Sequence, residues 1–121
     1  MKTKATPGAG LAAIAFGSDV LGSGEKGVHI RVYCQGEYRL PPQITHLLKY
    51  LAEAGTNNVI ELANDGYWHA GDMRISDAHV ATGLAAVTYY FQEQTQIRVY
   101  YQSRDLSLKE HGHNNRGWFT G

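Results

Sequence analysis

Three side chains that could bind a ligand occur twice in this sequence. In chain order, the two sets are Arg31, Glu61 and Trp68, then Arg98, Glu110 and Trp118. An arginine presents several N–H donors in a rigid fork and a glutamate presents acceptors, so the two types can pair and hold each other in position. The flat face of a tryptophan packs against C–H groups. This combination is typical of a site for a ligand with many hydroxyl groups and one apolar face, such as a sugar.

These residues belong to a repeat in which four landmarks return in the same order. Residues 11–16, 30–35, 59–61 and 66–71 return as residues 84–89, 97–102, 108–110 and 117–121. A repeat of this length indicates an array of similar supersecondary units. The second landmark, Ile-Arg-Val-Tyr, has the two-residue period of a β-strand, so Arg31 and Arg98 are predicted to lie on the face opposite the aliphatic residues.

Each copy is predicted to form four short strands separated by turns. The predicted strands are 11–16, 29–35, 59–63 and 67–69 in the first copy, and 83–91, 96–102, 107–111 and 118–120 in the second. The turns at 64–66 and 113–115 contain residues that tolerate a left-handed backbone. We therefore expect an all-β fold in which residues 1–121 form a single domain, with one four-stranded unit over 11–71 and another over 83–121.

Two insertions make the first copy longer than the second. Residues 17–27 are rich in glycine and serine, which predicts a flexible loop. Residues 41–55 begin with two prolines, continue with four aliphatic residues at helical spacing and end at a glycine, which predicts a helical insertion. The apolar side of this helix could pack on the sheet or on another chain.

Composition excludes several classes of protein. The formal net charge is zero over 121 residues, which argues against a nucleic-acid partner because such proteins present a basic face. No apolar run is long enough for membrane insertion. The apolar stretch after the N-terminus is interrupted by Pro7, Gly8 and Gly10, so no signal peptide is expected, and the protein would be cytoplasmic or non-classically secreted. Cys34 is the single cysteine and allows no intrachain disulfide.

Two four-stranded units cannot cover both faces of their own sheets. Repeat arrays complete their core with neighbouring units, and the radial form of such an array is the β-propeller with four to eight blades. Two blades per chain would then require self-assembly, and closed symmetry allows two, three or four chains. A compact eight-stranded sandwich or barrel formed by one chain is the alternative.

The ordered landmarks resemble the fungal and bacterial fucose-binding lectins of the Aleuria aurantia lectin type. Each blade of those six-bladed propellers carries an Ile-Arg-Val-Tyr strand, then a hydrophobic-x-Glu strand, then Asp-Gly-x-Gly-Trp-x-x-Gly. The matching residues here are 30–33, 60–61 and 65–71 in the first copy, and 97–100, 109–110 and 114–121 in the second. The resemblance implies two blades per chain and a homotrimer that completes six blades.

The resemblance also implies where the sugar lies. The sugar sites of the family lie between adjacent blades, so Arg31 and Glu61 would hold one L-fucose with Trp118 from the neighbouring blade. A second site would combine Arg98 and Glu110 with Trp68 from another chain. L-Fucose and fucosylated glycans are therefore the expected partners, with no cofactor.

The chain departs from the family pattern at both expected sites. Asn64 and His113 stand where an additional aromatic residue is common, and the turn before Trp68 is one residue shorter, which could displace that side chain.

Two other classes of function compete with the lectin. His111 and His113 are one residue apart on a strand and could share a metal, but no third ligand has persuasive spacing. Glycoside hydrolysis uses two carboxylates, whereas each site offers one glutamate, and the paired arginine should lower its pKa. We therefore expect no enzyme activity and no metal. A lectin-derived interaction scaffold with degenerate sugar sites is the alternative.

Overall fold

The described part of the chain folds into two antiparallel β-sheets. The computed structural model describes residues 2–5, 8–17, 27–39, 58–114 and 116–121. Their strands are β1 (Lys2–Ala5), β2 (Leu11–Gly17), β3 (Val28–Arg39), β4 (Val59–Asn64), β5 (Trp68–Ile75), β6 (Leu84–Phe91), β7 (Gln94–Gln102), β8 (Leu108–Asn114) and β9 (Gly117–Thr120). The helix predicted over 41–55 and most of the loop predicted over 17–27 lie outside the described residues, which contain no helix.

The sequence repeat is also a repeat of strand pairing. Sheet one has the strand order β2, β3, β4, β5, and β1 pairs with residues 36–39 at the end of β3. Sheet two has the order β6, β7, β8, β9. Tyr33 pairs with Glu61 as Tyr100 pairs with Glu110. The predicted all-β class with two four-stranded repeat units is confirmed. The strands of the two units belong to separate sheets, which argues against a single closed barrel.

Several strand ends differ from the prediction. The fifth strand continues to Ile75 instead of ending at His69, because Met73 and Ile75 alternate into the core after an irregularity in the pairing opposite Glu61. The fourth strand of the second copy begins one residue earlier than predicted, at Gly117. The third strand of that copy reaches Asn114, because His113 pairs with Trp118 and Asn114 pairs with Gly117.

Each sheet has a site face, which carries its arginine and glutamate, and an opposite back face. The alternation predicted for β3 and β7 assigns Arg31 and Arg98 to the site faces. The site face of sheet one packs against the back face of sheet two, as the paired registers and the composition of the core show. The core consists of Ile14, Tyr33, Val59, Met73, Ile75, Ala78, Ile97, Val99 and Tyr101. None of the described residues forms a helix long and apolar enough to span a membrane.

Candidate functional site

The first site lies where the two sheets meet and contains Arg31, Glu61, Tyr33 and Trp118. Arg31 on β3 and Glu61 on β4 form an ion pair with 3.9 Å between Nε and Oε2. The Trp118 ring reaches across from sheet two and lies edge-on to the Tyr33 ring, with 6.3 Å between the centroids. Tyr33 pairs directly with Glu61. The structure therefore places Trp118 on the same boundary as the predicted Arg31–Glu61 pair, with Tyr33 between them.

Glu61 is a buried acceptor that the backbone of β5 surrounds. Its exposed fraction is 4%, and its carboxylate accepts hydrogen bonds from the backbone N–H groups of Asp72 and Met73. Burial raises the pKa of Glu61, and the hydroxyl of Tyr33, the Arg31 guanidinium and these two N–H groups only partly oppose that shift. The prediction that the arginine would lower the pKa of this glutamate is wrong in net effect, because desolvation outweighs the nearby positive charge.

Asp65 is a further side chain at the first site, and sequence reasoning did not assign it there. Its carboxylate accepts from Arg31 at both ends, 2.8 Å to Nη1 and 3.3 Å to Nη2. It also lies 2.5 Å from His29 Nδ1 and 2.9 Å from His69 Nε2. Burial of Asp65 acts to raise its pKa, but the hydrogen bonds from His29, Arg31 and His69 together hold the pKa well below its ordinary value. The available signal was the short turn, in which Asp65 was interpreted only as a turn residue.

The second site, on sheet two, has the same arginine and glutamate but different surroundings. Arg98 Nε lies 3.4 Å from Glu110 Oε1. The guanidinium of Arg98 is close to the rings of Tyr89 and Phe119, 5.5 and 5.1 Å from their centroids. The carboxylate of Glu110 raises the pKa of the Tyr100 hydroxyl, as burial and Glu61 do for Tyr33. The first site has a ring equivalent to Tyr89, since Arg31 lies 5.4 Å from the centroid of the Phe16 ring. The two sites differ at Phe119, which takes the strand position that His69 has in sheet one.

Trp68 is not placed at the second site of its own chain. It lies on the back face of sheet one and is half exposed, whereas Arg98 and Glu110 lie on the site face of sheet two. Trp68 nevertheless has the same strand position as its counterpart Trp118. Trp68 pairs with Asn64 and Trp118 pairs with His113, and these two partners are equivalent because they pair with Ile30 and Ile97 of the repeated motif. The shorter turn therefore leaves the strand position of Trp68 unchanged.

The two histidines considered as metal ligands instead support Trp118. The His111 ring stacks on the Trp118 ring at 5.4 Å, and the His113 ring meets it at 5.1 Å and a steep angle. Burial lowers the pKa of both histidines, which favours neutral rings against the tryptophan. Among the residues that the structure describes, no group of three or more His, Cys, Asp or Glu side chains could hold a metal ion.

Comparison with solved structures identifies the fold. No protein-family model and no curated protein matches the sequence. The structure of the SapL1 lectin in complex with α-methyl fucoside is 28% identical, has a TM-score of 0.67, and is matched over 97% of this chain and 32% of that chain. The fold is that of the Aleuria aurantia lectin type of fucose lectin. The resemblance found in the sequence landmarks is therefore confirmed at the level of the fold.

Two further lectins of known structure show the same fold. The Aleuria aurantia lectin, solved with Fucα1-6GlcNAc as an N224Q mutant, is 23% identical with a TM-score of 0.65, over 98% of this chain and 31% of that chain. A fucose lectin from Kordia zhangzhouensis, solved with methyl-fucoside, is 23% identical with a TM-score of 0.61, over 99% of this chain and 67% of that chain. The chain thus spans about a third of the length of SapL1 and of the Aleuria aurantia lectin.

Proposed function

We propose that this protein is a lectin that binds L-fucose and fucosylated glycans and catalyses no reaction. The observation that carries the proposal is that Trp118 of sheet two contacts Tyr33, which pairs with Glu61, the ion-pair partner of Arg31. The similarity to SapL1, which was solved with α-methyl fucoside, supports fucose as the sugar.

The chemistry of the first site suits a sugar ring. The guanidinium of Arg31 donates to hydroxyl oxygens, and the carboxylate of Glu61 accepts from hydroxyl groups; such charge-assisted hydrogen bonds are stronger than neutral ones. Trp118 offers an indole face to the C–H side of the ring, held by His111 and His113. The C6 methyl group of fucose adds apolar surface, which rewards contact with these aromatic side chains.

The second site is completed by another copy of the chain. Within one chain, the site face of sheet one is covered by the back face of sheet two. The site face of sheet two remains exposed at Val87 (46%) and Tyr89 (44%), and the back face of sheet one remains exposed at Leu11 (69%) and Trp68 (50%). Because the two sheets repeat one pattern, the same packing can continue from chain to chain and bring Trp68 of one copy to Arg98 and Glu110 of the next.

Three copies close this arrangement into a six-bladed β-propeller. Each chain spans 32% of SapL1 and 31% of the Aleuria aurantia lectin, so three chains supply the length of those lectins. In this proposal residues 11–71 and 83–121 are the two blades of a single domain. A homotrimer presents six sugar sites, and avidity for a surface that carries many glycans then exceeds the affinity of one site by about two orders of magnitude or more.

Replacing Arg98 with alanine is expected to abolish binding at the second site. The substitution removes the donor fork that faces the sugar and leaves Glu110 without its 3.4 Å ion-pair partner. Calorimetric titration with the methyl glycoside of L-fucose should show about two sites per wild-type chain and about one in Arg98→Ala, because losing a charged donor typically weakens a site by tenfold or more.

The matched control for this titration is Arg104→Ala. Arg104 is an exposed arginine in the turn after β7, where its side chain contacts the carbonyl of Ser76, and its removal should leave both sites intact. No heat with the fucoside from wild-type protein, together with no binding on a glycan array, would contradict the lectin proposal and favour the interaction scaffold.

The Val87→Asp variant is expected to produce a folded monomer that retains the first site. Val87 lies on the site face of sheet two, next to Arg98 in the pairing of β6 and β7. A carboxylate placed between two packed sheets would be desolvated and would compete with Glu110 for Arg98, so assembly should fail. Sedimentation velocity should report three chains for the wild type and one chain for the variant.

The control for assembly is Val80→Asp, since Val80 is 51% exposed in the connection between the sheets. This variant should sediment like the wild type. A wild-type protein that sediments as a monomer while both sugar sites remain active would contradict the assembly proposal.

A further inference from the structure

The two turns that precede the tryptophans differ in a way that changes the chemistry of the two sites. In sheet two, the side chain of Asn114 accepts from the N–H of Arg116 at 2.8 Å and so forms the turn. In sheet one the turn is shorter, and Asn64 takes this role by accepting from the N–H of Gly66 at 2.9 Å. The carboxylate of the following residue, Asp65, is therefore not used to build the turn and is directed at Arg31.

Asp65 holds the guanidinium edge of Arg31 with two hydrogen bonds, at 2.8 and 3.3 Å. A carboxylate that grips both ends of the fork fixes the plane of the guanidinium as well as its position. Among the described residues, no carboxylate grips both ends of the Arg98 fork: its Nη1 donates to the carbonyl of His113 at 3.2 Å, and its Nη2 donates to Gln96 Oε1 at 3.3 Å. The two arginines are thus oriented by different means.

His69 in turn orients Asp65, and its geometry requires a particular protonation state. Its Nε2 lies 2.9 Å from Asp65 Oδ2, and its Nδ1 lies 2.9 Å from the carbonyl oxygen of Ala70. Both neighbours are acceptors, whereas a neutral imidazole carries only one N–H. Only the imidazolium form satisfies both contacts, so deprotonation of His69 breaks one of them.

We propose that Asp65 is a positioning residue for Arg31, held in turn by the imidazolium of His69, so that the first site binds its sugar more tightly in mildly acidic than in alkaline solution. This inference rests on the proposed function. In the part of the second site that the structure describes, Phe119 stands in the position of His69 and no aspartate holds Arg98, so the affinity of that site should not share this dependence on pH.

The charged and titratable groups around His69 set the expected pH range. The hydrogen bond that His69 donates to Asp65 raises the pKa of His69, and the contact with the Ala70 carbonyl acts in the same direction. Burial and the positive charge of Arg31 act to lower this pKa. A raised histidine pKa means that the orienting contact is present below the pKa and is lost as the pH rises through it. His29 on β3 shares Asp65, the Tyr67 ring lies 5.2 Å from the His69 ring, and Glu61 pairs with Arg31.

Other groups near the first site limit this range on the acidic side. Burial raises the pKa of Glu61, so this carboxylate becomes protonated at a higher pH than an ordinary glutamate. His113, near Arg31 and Asp72, has a lowered pKa and becomes charged only in acidic solution. The dependence should therefore be measured from about pH 6 to about pH 8.5, on either side of the ordinary histidine value.

The test isolates the first site by measuring fucoside binding in the Arg98→Ala background. Asp65→Asn should weaken the remaining site about tenfold, the cost of removing one charge-assisted contact, and should flatten its pH profile. His69→Gln should also flatten the profile. The matched control is His79→Gln. His79 Nδ1 lies 2.8 Å from the carbonyl oxygen of Val80, as His69 Nδ1 lies near that of Ala70, but no hydrogen bond to an aspartate is found for His79 among the described contacts. The pH profile of fucoside binding in His79→Gln should match that of the Arg98→Ala parent.

An NMR measurement without sugar tests the role of Asp65 independently of the proposed lectin function. By NMR, Asp65→Asn should lower the titration midpoint of His69 and speed solvent exchange of the Arg31 guanidinium protons, while Arg98 stays unchanged. Asp65→Asn with parental affinity and pH profile, or with an unchanged His69 midpoint, would overturn the role of Asp65. If no variant binds fucoside, the lectin proposal fails, and the NMR comparison still decides whether Asp65 positions Arg31.

Discussion

Replacing Trp118 with alanine is expected to abolish sugar binding at the first site and to lower the free energy of unfolding by about 3 kcal/mol. The side chain packs against the core from sheet two and contacts the rings of Tyr33, His111 and His113. Its removal leaves a cavity between the sheets and takes away the apolar wall of the site. Urea unfolding and fucoside titration measure the two effects on the same preparation.

The stability comparison is cleanest in a monomeric background, where assembly contributes nothing. In Val87→Asp protein, Trp118→Ala should lose about 3 kcal/mol, whereas Trp68→Ala, half exposed on the back face of sheet one, should lose less than about 1 kcal/mol. Trp118→Phe should recover part of both stability and binding, because a smaller aromatic face remains. Undiminished binding at the first site in Trp118→Ala would contradict the role of this side chain.

The Gly71→Ala variant is expected to weaken the first site by tenfold or more, with a stability loss of about 2 kcal/mol. A Cβ at Gly71 would lie 2.1 Å from Oε1 and 2.4 Å from Cγ of Glu61. Glu61 is 4% exposed and cannot swing into solvent, so the carboxylate must move away from the N–H groups of Asp72 and Met73. Fucoside titration in the Arg98→Ala background measures the effect on this site alone.

The repeat supplies a matched control for this substitution. Gly121 is the counterpart of Gly71, and a Cβ there would lie 2.9 Å from Glu110 Oε1. The side chain of Glu110 is 33% exposed and can shift, so Gly121→Ala should change affinity at the second site by less than about threefold. Gly83→Ala, where a Cβ would meet nothing within 4 Å, should be neutral for both sites. Equal effects at Gly71 and Gly121 would argue against the confinement of Glu61.

The strand pattern and the pairing of the site residues could be predicted from the sequence. Side chains alternate across a strand, so Ile30, Arg31 and Val32 by themselves place the arginine on the face opposite its neighbours. The second copy repeats the spacing, which identifies Arg98 as the equivalent residue without any knowledge of the fold. These properties depend on residues that are neighbours in the chain or on an adjacent strand, so the sequence alone is enough to predict them.

The ends of β5 and β8 could not be predicted because they depend on contacts with distant residues. Met73 and Ile75 extend β5 past a glycine and an aspartate because the core of the two packed sheets receives them. His113 stays in β8 because it pairs with Trp118 and packs against its ring. In both strands, tertiary packing overrides a local preference for a turn, at Gly71 and Asp72 in β5 and at His113 and Asn114 in β8.

The sequence by itself determined the all-β class, the two repeat units and the identity of the paired arginines and glutamates. Only the tertiary structure decided that Asp65 grips Arg31, that burial raises the pKa of Glu61, and that Trp68 faces away from the second site of its own chain. The physical reason is that alternation and pairing arise between neighbouring strands. The packing of whole sheets determines the other three properties: how strongly a side chain is desolvated, where a turn side chain points, and which sheet face is covered.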